Sequence, residues 1–145
     1  MRIVNLLMLL LVACHPSNHI GELVGVPRHR PLEETVWILE EINGKVINTA
    51  EEQKSLFVLY HKKGKEVDGF GGCNSFTGTY TKEGSTVSAK LASTRMFCEG
   101  KMDVENEFMK VLTLSNKYKV DENHLFFKNK DKVVAEFHAE VKKSN

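Results

Sequence analysis

Two hydrophobic patterns divide the chain. From Ile3 to Ala13 the apolar residues are continuous except for Asn5, whereas from Thr35 onward they come in short runs rich in β-branched and aromatic residues, each closed by a turn signal. The second pattern predicts strands. Residues 35–42 end in Asn43-Gly44, a strong hairpin dipeptide, and 45–48 follow. Residues 56–60 and 66–70 flank His61-Lys62-Lys63-Gly64-Lys65, and 76–81 and 86–91 flank Lys82-Glu83-Gly84-Ser85, so two more hairpins are expected. Residues 117–120, 125–128 and 132–138 complete eight or nine strands. One segment departs from the rule: over 102–115, Val104, Phe108, Val111 and Leu112 fall at helical spacing, with Glu105, Glu107 and Lys110 on the other side. Asp103 and Glu105 near its start suit the positive end of a helix dipole. The expectation is a mainly β fold with one helix (α+β). Closure of the sheet, or near-closure, into a small barrel is the usual way to manage so many strand edges, with the helix covering an opening or one end.

The opening apolar run is about half the roughly 20 residues a membrane-spanning helix needs. Preceded by Arg2 and ending in Leu11-Val12-Ala13-Cys14, it reads as a signal peptide (1–13) with a bacterial lipobox whose cysteine, Cys14, takes the lipid. The alternative is a buried N-terminal strand or helix with an incidental cysteine. Two or three acyl chains on Cys14 make anchoring effectively permanent, where one holds only marginally. His15, rather than Asp, follows the cysteine, which favours the outer membrane over the inner. Residues 14–32 contain Pro16, Gly21, Gly25, Pro27 and Pro31 and no sustained period, the composition of an extended tether. The domain is expected over 33–140, with a polar tail at 141–145.

Composition narrows the function. At 41% hydrophobic and 27% charged, 145 residues make one ordinary globular domain. Twenty Lys and Arg face nineteen Asp and Glu, and loss of Arg2 with the signal leaves nineteen of each, so no net field favours nucleic acid. Cys73 and Cys98 remain after the anchor, and an even pair in an oxidising envelope compartment suggests one disulfide. Two separately buried thiols are the alternative. Neither cysteine has a CxxC or nearby His partner that would indicate a metal site.

The most distinctive stretch is Asp68-Gly69-Phe70-Gly71-Gly72-Cys73-Asn74-Ser75-Phe76-Thr77-Gly78-Thr79-Tyr80. Glycines bunched within strand-forming sequence mark bends, bulges or close backbone approach. With Trp37-Ile38-Leu39 before it and Ser93-Thr94-Arg95-Met96-Phe97-Cys98, Met102, Glu105 and Phe108 after it, this block resembles the META domain of HslJ-type envelope lipoproteins. The resemblance runs along residues 35–137. It implies a small lipocalin-like β-barrel or closed sheet with one helix before the last strands, and functions in envelope stress response, drug tolerance, secretion or motility. It brings no catalytic residue and no cofactor. Its patterned residues read as structural: Trp37 as a core anchor, Gly72 and Gly78 as backbone necessities, Tyr80 and Phe108 as packing, with Thr94 and Glu105 completing the motif. Asn74 is open to a ligand, but satisfying backbone groups at a strand bend is the stronger reading.

No nucleophile with its base, no paired carboxylates and no metal cluster stand out, so the chain is not expected to be an enzyme. His61, His124 and His138 fall in or beside turns and strand ends and read as surface residues. His15, His19 and His29 in the tether could bind a transition metal loosely, though a solvated linker is the plainer reading. Two non-catalytic functions remain: an interaction or stress-response module held at the membrane by its lipid and meeting another envelope protein, or a barrel carrying a small apolar ligand. An eight-stranded barrel is only just wide enough for its own side chains or one small ligand. Phe57, Phe70, Phe76, Phe126, Phe127 and Phe137 are candidates to fill it. A monomer is the default.

Overall fold

The computed structural model describes residues 29–48 and 54–140. The expected signal peptide, Cys14, most of the tether and the tail at 141–145 lie outside the described residues. Nine strands and one helix follow in order: β1 (Val36–Ile42), β2 (Lys45–Val46), β3 (Phe57–Tyr60), β4 (Glu66–Phe70), β5 (Ser75–Glu83), β6 (Thr86–Ser93), α1 (Met102–Leu114), β7 (Lys117–Asp121), β8 (His124–Asn129) and β9 (Lys132–Ala139). Asn43 and Gly44 take φ of 49° and 85° in the β1–β2 turn, as an Asn-Gly hairpin requires.

All strands belong to one antiparallel sheet in the order β2-β1-β3-β4-β5-β6-β7-β8-β9, and pairing of β1 with β9 closes it. The seam between β6 and β7 is thin, with one residue pair, Thr86 with Lys117. Helix α1 packs against β6, β1 and β8 and covers the interior. Closure leaves few free strand edges to recruit other chains.

The core follows from period-two alternation on nearly every strand. Trp37, Leu39, Val58, Tyr60, Val67, Leu125, Phe127 and Phe137 are fully buried with Phe108 from the helix. Phe108 meets Phe76 and Phe137, and Phe127 meets Phe137 and Tyr60, at centroid distances of 5.6–6.3 Å. Each such side chain contributes about 1.5–3 kcal/mol by leaving water. The interior is filled by only half of the expected phenylalanines. Phe76, Phe127 and Phe137 point inward, whereas Phe57, Phe70 and Phe126 are half-buried on the outer face because they occupy the opposite phase of their strands. The fold also takes in residues placed in the tether by sequence: Leu32 is buried, its carbonyl accepts the Trp37 indole N–H at 3.0 Å, and the Arg30 N–H reaches the Glu122 carbonyl.

Candidate functional site

The Gly-rich motif forms the turn from β4 into β5. Gly72 sits at φ 111°, a region other residues rarely adopt, and a Cβ on Gly71 would lie 2.8 Å from Glu105 Cγ. The turn thereby brings Cys73 and Asn74 against the start of α1. Gly78, further along β5, lies so close to β6 that a Cβ would overlap the Lys90 carbonyl.

Asn74, 2% exposed, uses its whole amide. Its Oδ1 accepts from the Thr94 hydroxyl and the Met96 N–H, both at 2.7 Å, while Nδ2 donates to the Met96 carbonyl at 3.0 Å and to Glu105 Oε1 at 2.6 Å. The other Glu105 oxygen, Oε2, accepts the backbone N–H groups of Asn74 at 2.6 Å and Cys73 at 3.0 Å. Glu105 is therefore a buried carboxylate with three donors. That reverses one expectation: Glu105 lies not opposite the apolar side of the helix but on its buried face with Phe108, Val111 and Leu112. Three hydrogen bonds offset the desolvation that would otherwise keep a carboxylate at the surface.

The Cys73–Cys98 disulfide, Cα atoms 5.8 Å apart, ties the same turn to the segment between β6 and α1. Braced at Asn74 and at Cys98, that segment turns its apolar side chains outward: Phe97 is 82% and Met96 59% exposed. Beside them an open depression of about 290 Å³ is bordered by Ser93, Arg95, Met102 and Asn106. Thr94, Asn74, Glu105, Cys73 and Cys98 are thus one assembly, whereas Trp37 and Tyr80 stand elsewhere.

Tyr80 is a junction of its own. Its ring packs edge-on against Tyr60 at 5.0 Å, and its hydroxyl donates to Glu33 Oε1 at 2.6 Å. Lys65 Nζ also donates to that oxygen at 2.7 Å. The hydrogen bonds from Lys65 and then Tyr80 hold the Glu33 carboxyl below its ordinary range, while burial and the Glu33 contact push the Tyr80 phenol up. Nearby, His61 pairs with Asp68. Nothing in local sequence marked Glu33 as a partner of Tyr80, because the two are 47 residues apart.

A third grouping was also invisible to sequence spacing. On the outer face of β1, β8 and β9, the ligand atoms of Glu40, His124 and Glu136 lie within 4.8 Å of one another. Their separation along the chain hides them; what unites them is the closing β1–β9 pairing.

The fold is shared with solved structures. It is similar to an NMR structure of a protein from Burkholderia xenovorans, with a TM-score of 0.64 and 19% identity over 88% of this chain and 100% of that one. It is also similar to the crystal structure of a DUF4847 family protein from Bacteroides vulgatus, with a TM-score of 0.57 and 17% identity over 78% and 96%. No curated protein matches the sequence. The META domain model matches residues 30–142, which span the closed sheet, the Gly-Cys-Asn turn and the helix, and the chain therefore belongs to the META domain family.

Proposed function

We propose that this META-domain protein is a non-catalytic, lipid-anchored lipoprotein of the bacterial envelope, held through Cys14 at the outer membrane and acting as an interaction module in envelope maintenance or stress tolerance. The h-region and Leu11-Val12-Ala13-Cys14 support the anchor. The observation that carries the module reading is the exposed Met96-Phe97 pair on a segment whose backbone is fixed by Asn74 and the disulfide. Aromatic residues on pre-ordered segments make effective binding anchors, because little conformational freedom is lost on docking. The polar groups around Asn74 are already matched to one another, which leaves little for acid–base chemistry. The interior packed with Phe76, Phe108, Phe127 and Phe137 counts against a carrier of apolar ligands.

A photo-cross-linking residue at position 97 of the membrane-anchored chain tests this reading, with position 46 as control because Val46 is also exposed, at 74%. A discrete protein adduct from position 97 and none from position 46 is expected. No adduct at 97 under normal and stressed growth, or equal adducts at both positions, would overturn it.

A further inference from the structure

We infer that Glu40, His124 and Glu136 form a surface site for a divalent transition-metal ion of the Zn²⁺ class, with His138 bracing Glu40. The site is built by the sheet's closure. On β9, Glu136 and His138 face outward, alternating with buried Ala135, Phe137 and Ala139. His124 on β8 lies directly opposite His138. On β1 the register slips between Leu39 and Glu41, so that Leu39 opposes Phe137 and Glu41 opposes Glu136, with Glu40 the extra residue. This bulge puts Glu40 and Glu41 both on the outer, half-exposed face between inward-pointing Leu39 and Ile42. Bulges re-aim side chains in this way.

The resulting surface is poorly matched without a cation. Glu41 stands directly across from Glu136, and like charges in that position repel. Among the described residues, the ionic contacts of Glu40 are to imidazoles: His124 Nε2 at 3.9 Å from Oε2 and His138 Nδ1 at 2.9 Å from Oε1. The latter nitrogen is buried, and among the described residues it has no hydrogen-bond partner. Ligands about 2.0–2.1 Å from a tetrahedral ion are roughly 3.4 Å apart, so modest rotamer changes suffice to bring the three donor atoms onto one ion. One imidazole with two carboxylates suits Zn²⁺ and its neighbours, and three protein ligands leave a position for water. Ligating carboxylates are themselves held by outer hydrogen bonds, and His138, with Nδ1 2.9 Å from Glu40 Oε1, is placed to supply one after a small turn of its ring. Every one of these residues is on a paired strand rather than a loop, which favours a pre-shaped site.

The test uses the full chain stripped of metal and titrated with Co²⁺, read by its visible absorption, and with Zn²⁺ in competition. One equivalent should bind; His124→Ala or Glu136→Gln should abolish the signal, and His138→Ala should weaken binding by about tenfold or more. Changing His15, His19 and His29 together to Ala, or His61 to Ala, should leave it intact. The Glu136→Gln variant is nearly isosteric, and an unchanged circular dichroism spectrum separates lost binding from lost folding. Retention of binding in both ligand variants, its loss in the tether variant, or no stoichiometric signal in the parent chain would overturn the assignment.

Discussion

Glu105 and Glu40 each follow an apolar residue that packs in or against the core, Val104 and Leu39, yet the protein treats them oppositely. Glu105 is 4% exposed, and the protein itself supplies donors to both of its oxygens. Glu40 is half-exposed beside other carboxylates and two imidazoles, with neighbours that satisfy it incompletely. A polar group completed from within holds structure together, because removing any member strands the rest in a dry place. One left incomplete at the surface costs little to alter and has capacity left for something from outside. The Asn74–Glu105 assembly is accordingly the brace, and the β1–β8–β9 face is a place where a ligand can be received.

Removal of the disulfide that ties the Glu105-capped turn to the segment before α1 has the largest expected effect. Closing a loop with a sequence separation of 25 stabilises by about 3.5 kcal/mol on the chain-entropy view, so the double change Cys73→Ser, Cys98→Ser should lower the unfolding free energy by that order in urea titration. Next comes Asn74→Ala, which strands the Thr94 hydroxyl, both backbone groups of Met96 and one Glu105 oxygen; about 3 kcal/mol should be lost, with the 93–98 segment released first in hydrogen exchange. Glu105→Gln should cost about 1–2 kcal/mol. Its amide must point NH₂ either at two backbone N–H groups or at the Asn74 Nδ2, and Asn74 cannot flip because its own oxygen is committed.

Smaller effects are expected at the more exposed carboxylates. The Glu33 carboxyl is held below its ordinary pKa of 4.5 by Lys65 and Tyr80. Its contribution is therefore present above the unfolded value and fades as pH falls from about 4.5 through the lowered folded value. Glu33→Gln should flatten that part of the stability profile by less than about 1 kcal/mol, since Lys65 is half-exposed. Least of all, Glu40→Gln should shift stability by no more than about 0.5 kcal/mol in either direction in thermal unfolding. A loss comparable with Glu105→Gln would erase the distinction between the two glutamates.

Much of this was legible along the chain, for identifiable reasons. The turns are written in Asn43-Gly44 and in the glycines at 64 and 84, all at positive φ, and the helix begins at Met102 as the spacing predicts. The crowded glycines of the motif do mark close approach, of Gly71 to Glu105 and of Gly78 to Lys90. What escaped was phase and long-range pairing. The outward phase of Phe57, Phe70 and Phe126 depends on which face of each strand meets the core, and composition is silent on that. Local spacing puts Glu105 at the solvent because its three donors come from Cys73 and Asn74, more than thirty positions away. The bulge at Glu40 arises only when β9 closes on β1.

The most direct test of the envelope lipoprotein reading is the intact mass of protein extracted from membranes, measured before and after reduction with thiol alkylation. A mass equal to residues 14–145 plus acyl groups, with two alkylations appearing only after reduction, is the result predicted. An unprocessed, unacylated chain whose cysteines alkylate without reduction would contradict both the anchor and the brace.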